Sequence, residues 1–156
     1  MSNRYYLKQS AIKECLLIRK NAIARNTKVG ATLYTDDTYV SGWNIENRIH
    51  KGYHAEEIAI INARLRGINP KNIEGMVICF DKKDISNHTF CCGFCRQVLW
   101  EFTFNSDLII TEVGLDGKIV AEKTLGDLYP NPFPLEEFQL KNEHVGYHDV
   151  EEFYKD

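Results

Sequence analysis

Two short runs of this chain carry side chains able to hold a metal ion and move a proton. In Gly52-Tyr53-His54-Ala55-Glu56-Glu57-Ile58-Ala59-Ile60-Ile61, an imidazole stands two residues ahead of a carboxylate at the start of an apolar stretch. The second run is Cys92-Gly93-Phe94-Cys95. One histidine and two cysteines can bind zinc through three protein ligands and leave a fourth position for water, the arrangement of a catalytic site and not of a closed structural one. Two thiolates and a neutral imidazole offset the charge of the metal, so water bound there is acidified toward neutral pH. The expectation is one Zn2+ per chain on His54, Cys92 and Cys95, with Glu56 as proton shuttle. Taken alone, Cys92-x-x-Cys95 reads equally as a redox pair or part of a zinc knuckle. A closed site would need a fourth protein ligand, and His50, His88 and Cys91 fall at no recognisable spacing with the other three.

The elements that must position these residues follow from hydrophobic period. From Tyr5 to about Ala24, Leu7, Ile12, Leu16, Leu17 and Ile23 recur at helical spacing among charged residues. Ala31–Thr35 and Tyr39–Trp43 have strand character and are joined at Asp36-Asp37 as a hairpin. A basic loop around Arg48–Lys51 leads to His54, and a second helix is expected from Ala55 to Arg66, ended by Gly67 and Pro70. Met76–Phe80 is a third strand. Helical spacing of Phe94, Val98, Leu99 and Phe102 puts both cysteines in the first turn of a third helix, where exposed N–H groups and the positive helix end favour thiolate. Leu108–Thr111 and Lys118–Ala121 bracket a turn at Asp116-Gly117 as two more strands. The reading is one α/β domain over residues 1–156, a mixed sheet of about five strands between helices in three layers, with an irregular tail from about residue 124.

Composition narrows the function. A length of 156 residues at 44% hydrophobic content suits one domain with a full core. A net charge of -3 supplies no general attraction to nucleic acid, and a nucleic-acid editor should show a basic stripe interleaved with aromatics. No signal-peptide or spanning run stands at either end, so a cytosolic, membrane-free protein is expected. The five cysteines are odd in number and irregularly spaced, which favours metal or free-thiol chemistry over a disulfide framework.

A His-x-Glu at a helix start followed by Cys-x-x-Cys is the pattern of zinc-dependent base deaminases. The match goes further: His54-Ala55-Glu56 with Cys92-Gly93-Phe94-Cys95-Arg96-Gln97-Val98-Leu99-Trp100-Glu101-Phe102 closely resembles the cytidine deaminase family, and Val29-Gly30-Ala31 with Asn44-Ile45-Glu46-Asn47 resembles its nucleoside-binding half. The resemblance implies hydrolysis of cytidine or deoxycytidine to the uridine product with release of ammonia. It implies zinc on His54, Cys92 and Cys95, proton transfer by Glu56, ribose contacts from Asn44 and Glu46, and Ala55 among the substrate-contacting residues. Relatives acting on a modified cytosine nucleoside, similar to blasticidin S deaminase, share the chemistry. A non-catalytic zinc-stabilised module is the reading from another class.

Three positions depart from the family pattern. Cys91 stands where proline usually precedes the first cysteine and reads as a small buried residue. Glu57 stands where members with three cysteine ligands often carry arginine; His54 removes the charge that the arginine would offset. Thr27 replaces the phenylalanine that usually lines the base pocket, and Arg25, Lys28, Arg48, His50 and Lys51 would meet a phosphate or larger polar group if both loops rim that pocket. Finally, Leu128-Tyr129-Pro130-Asn131-Pro132-Phe133 resembles the tail of small homotetrameric cytidine deaminases. That resemblance implies a homo-oligomer, most naturally a tetramer, with Phe133 reaching a neighbouring subunit's base pocket.

Overall fold

The strand-character runs assemble into one five-stranded sheet in the order β2-β1-β5-β6-β7. Its strands are β1 (Val29–Tyr34), β2 (Tyr39–Trp43), β5 (Gly75–Phe80), β6 (Ile109–Val113) and β7 (Ile119–Thr124). The computed structural model describes residues 3–48, 51–81 and 90–133. Only β5 and β6 pair in parallel, with helix α3 (Gly93–Thr103) between them in the chain; the other neighbours are antiparallel. A pair Ile45–Glu46 (β3) and Gly52–Tyr53 (β4), too short to read from pattern, brings the chain back just before His54.

Alternation along β1 divides the core in two. Ala31 and Leu33 face one side with Val40, Met76, Ile78 and Ile110, where α2 (Ala55–Leu65) and α3 add Ala59, Ile60, Ala63, Cys95 and Leu99. Tyr34 faces the other side with Val77, Cys79 and Val113, covered by Ala11, Ile12 and Cys15 of α1 (Asn3–Ile18). Helices on both faces of a mixed sheet are the expected three layers.

Two expectations need correction. The first helix stops at Ile18 and passes through a 3-10 turn, Arg19–Asn21, short of Ala24. Ile23 leaves the helical path because its N–H donates to the Asn44 carbonyl and its carbonyl accepts from Glu46 N–H, a parallel bridge to Ile45. The region from residue 124 is not irregular throughout. Thr124 caps a one-turn helix, α4 (Leu125–Leu128), through Asp127, and Leu125 is fully buried. Residues 134–156 lie outside the described residues.

Helix α2 lies against β2 with nothing but a glycine hydrogen between them. A Cβ at Gly42 would stand 2.3 Å from the Ala55 carbonyl oxygen and 2.4 Å from the Ala59 nitrogen. Because both are backbone atoms, neither can swing aside. Gly42→Ala is expected to destabilise the fold by about 1–3 kcal/mol or more through overpacking. Gly93→Ala, where a Cβ meets nothing within 4 Å, is the control and should be neutral or slightly stabilising. Denaturant midpoints of the two variants measure the contrast, and equal midpoints would contradict the close approach.

Candidate metal centre and substrate pocket

Both ligand runs begin helices, which fixes where their side chains go. His54 is the N-cap of α2 in extended backbone (φ -79, ψ 151), and its N–H donates to Glu57 Oε2 at 2.8 Å. Glu57 therefore closes a capping arrangement that holds the histidine at the helix mouth. Cys92 is likewise the N-cap of α3, its carbonyl accepting from Arg96 N–H, and Cys95 follows one turn in, fully buried.

The two helix starts meet at one point. His54 Nδ1 lies 3.5 Å from Cys92 Sγ and 3.3 Å from Cys95 Sγ, and the three donor atoms all fall within 4.8 Å of one another. Tetrahedral zinc with Zn–N and Zn–S bonds of ordinary length needs a nitrogen-to-sulfur spacing of about 3.6 Å, so this donor set fits a single zinc ion. His54 and Cys92 are exposed while Cys95 is buried, which leaves the site open on one side. Burial pushes the Cys95 thiol far above its ordinary range, with the Glu56 carboxylate adding to the shift; zinc binding must displace that proton and is coupled to it. The Phe94 ring sits 5.6 Å from the imidazole, flanking it.

Glu56 is 4% exposed and lies one residue beyond Ala55 on the same helix start. Burial raises its carboxyl above the ordinary carboxylate range, opposed by its backbone hydrogen bond and by His54. With His54 and Cys92 it lines a cavity of about 480 Å³ that also takes in Ala55, Asn44 and Glu46. The sequence candidates other than Cys95 and Phe133 thus share one cavity wall, and Cys95 joins through the metal group.

The roles inside this group are uneven. Asn44 is committed to the fold: its Oδ1 accepts from Val29 N–H at 2.8 Å and its Nδ2 donates to the Thr27 carbonyl at 2.9 Å. One amide hydrogen is left for a ligand. Glu46 Oε2 accepts from Arg25 N–H at 2.9 Å, which ties the two pocket-lining loops together. Phe133 stands apart. It is 61% exposed and does not line this chain's cavity, and its N–H donates to Gln97 Oε1, which also accepts from the Tyr129 hydroxyl.

Cys91 is fully buried, and its thiol is pushed up to about 12, chiefly by burial. It is absent from the metal group, as its apolar reading requires. Of the basic residues expected at the rim, Arg25 and Lys51 line the cavity, while Lys28 and Arg48 do not. His50 and His88 lie outside the described residues. Three aromatic lining residues, Tyr53, Phe80 and Phe90, are not among the sequence candidates.

Known proteins resemble this chain in sequence and in fold. A family model described as the cytidine and deoxycytidylate deaminase zinc-binding region matches residues 6–111. The chain belongs to that deaminase family. Among solved structures, this deaminase is similar to a cytidine deaminase from Burkholderia pseudomallei at 28% identity and a TM-score of 0.68, covering 80% of this chain and 97% of that one. It is similar also to a cytidine deaminase from Mycobacterium tuberculosis, at 26% identity and a TM-score of 0.64, covering 80% and 94%. The deaminase fold and a donor group for one zinc are therefore both present in this chain.

Proposed function

We propose that this deaminase hydrolyses the exocyclic amine of cytidine or deoxycytidine, giving uridine or deoxyuridine and ammonia, with zinc held by His54, Cys92 and Cys95. The observation that carries the reading is the convergence of that donor group and the buried Glu56 on one open cavity. Zinc bound there supplies Lewis-acid activation of water. Glu56, shielded from solvent, takes the proton released as water adds to ring carbon C4 and delivers it to N3. A second proton, taken by the same carboxylate from the hydroxyl now on C4, goes to the amine as the C4–N bond breaks and the C4 carbonyl forms. Glu46 and the remaining Asn44 hydrogen hold the sugar hydroxyls, and Ala55 closes the wall beside them.

The same proposal extends to subunit sharing. Phe133 is exposed, yet its backbone is pinned to α3 by Gln97, and the Arg96 guanidinium holds the Leu128 carbonyl at 3.0 Å. A ring held outward in this way suits insertion into a neighbouring subunit's pocket, so we assign a homotetramer with Phe133 completing the site in trans. The free state of all five cysteines suits work in the reducing cytosol, and among the described residues no helix is long and apolar enough to cross a membrane. We place this activity in pyrimidine nucleoside salvage.

Arg25 and Lys51 on the cavity, with Thr27 in place of an aromatic, favour one second reading: a cytosine nucleoside or nucleotide carrying a phosphate or another polar substituent. Steady-state assays run in parallel on cytidine, deoxycytidine, cytidine monophosphate and blasticidin S separate the two. Highest kcat/KM on an unmodified nucleoside supports the first; preference for either of the others supports the second; turnover of none rejects both. In the same assays Glu46→Ala is expected to raise KM and lower kcat/KM for nucleosides by roughly tenfold or more, the cost of losing hydrogen bonds to a charged group. An unchanged nucleoside profile would remove the ribose assignment.

A further inference from the structure

A flat ring entering this cavity needs an apolar surface to lie against, and Thr27 cannot provide one. The cavity nevertheless carries two phenylalanines. Phe80 ends β5 and is the register partner of Val29 on β1, and the ladder runs one bond further, from Asp81 N–H to the Lys28 carbonyl at 3.0 Å. Directly opposed residues of an antiparallel pair present their side chains on the same face. Phe80 therefore stands beside Val29, one strand across from the segment that holds Thr27, and all three line the cavity.

Phe90 comes from the turn that leads into Cys91 and Cys92. It is 6% exposed and holds φ at 42, the left-handed region that a bulky side chain adopts only when its surroundings impose it. Its N–H donates to the buried Glu112 Oε2 at 3.4 Å. The same turn thus brings a metal-binding cysteine and an aromatic side chain to one cavity.

We infer that Phe80 and Phe90 form the wall that receives the face of the substrate's heteroaromatic ring, the surface lost at position 27 having moved to the neighbouring strand and to the cysteine turn. The inference rests on the deaminase reading above for the identity of the ring. Because the contact is with the base, substitutions here shift affinity for cytosine and uracil compounds alike, whatever the sugar carries. They act on KM much more than on kcat.

The test combines calorimetric titration of uridine, which does not react, with cytidine kinetics and a melting curve for each zinc-loaded variant. Phe80→Ala is expected to weaken uridine binding and raise the cytidine KM on the order of tenfold, as loss of one ring stacked on a base does. Phe90→Leu should move both in the same direction. Thr27→Phe alone should weaken binding by crowding Phe80, whereas Thr27→Phe combined with Phe80→Ala should return to within a few-fold of wild type, a coupling that independent sites do not show. Should Phe80→Ala fail to fold, Phe80→Leu keeps most of the volume without the flat face and serves in its place. Unchanged uridine affinity in the Phe80 variant, or strictly additive losses in the double variant, overturns the inference. Wild-type protein that binds uridine without turning over cytidine rejects the functional reading alone and leaves the binding arm to decide this one. Wild-type protein that binds neither compound rejects both.

Discussion

Replacing Glu56 by glutamine is expected to cut cytidine turnover by about two to four orders of magnitude, the usual contribution of a positioned acid–base group, while the protein keeps its zinc. Glutamine preserves the shape and the helix start and removes only the capacity to accept and return a proton. The carboxylate is suited to that task because it is buried at 4% exposure two residues beyond His54, and burial raises its affinity for a proton. It is not among the three converging donor atoms. Metal content and turnover measured on one preparation decide the matter. Zinc lost together with activity would make Glu56 a ligand and void its role as shuttle.

The second large effect separates three adjacent thiols. Cys92→Ser and Cys95→Ser should each take zinc from about one per chain to near zero after dialysis and abolish turnover with it, since a three-ligand site has no donor to spare. Cys91→Ser should retain metal and measurable activity. Its backbone carbonyl accepts from Arg96 Nε at 2.8 Å, and burial holds its thiol neutral at any ordinary pH. Cobalt loading gives an independent readout, because thiolate-to-metal charge-transfer absorption depends on the number of sulfur ligands. Equal metal loss in all three variants would show that the ligand set is wrong.

The zinc donor group was legible because zinc chemistry admits few residue types at few spacings, and His54, Cys92 and Cys95 satisfy them within two helix starts. Sheet and helices were legible for a similar reason: strand and helical periods are long-range regularities that a single residue cannot disguise. Phe80 and Phe90 were hidden by the opposite circumstance. An apolar side chain at the end of a buried strand looks the same whether it fills a core or faces a ligand, and only the register with Val29 shows that Phe80 opens onto the cavity. The first helix ends short of its hydrophobic period because Ile23, which fits the helical spacing, has its backbone claimed by Asn44 and Glu46, a pairing distant in sequence. For Asn44 the family resemblance implies a sugar contact. Its bonds to Thr27 and Val29 show that the same amide first has to hold the pocket's own loop in place.

The hydrogen-thin contact at Gly42 has a consequence for how tightly this centre can hold its metal. The atoms that a Cβ would strike belong to Ala55 and Ala59, so the turn of α2 that carries His54 and Glu56 is seated on the sheet backbone itself. Side chains can change rotamer and let a helix roll or slide; two abutting main chains cannot. The main chain beneath the imidazole and carboxylate is thus preorganised, its freedom surrendered when the chain folds and not when the ion arrives. Little conformational entropy then remains to be subtracted from the intrinsic strength of the metal–ligand bonds on the histidine side. Affinity is decided on the other helix, by how readily Cys92 and the proton-bearing Cys95 come to terms with the ion.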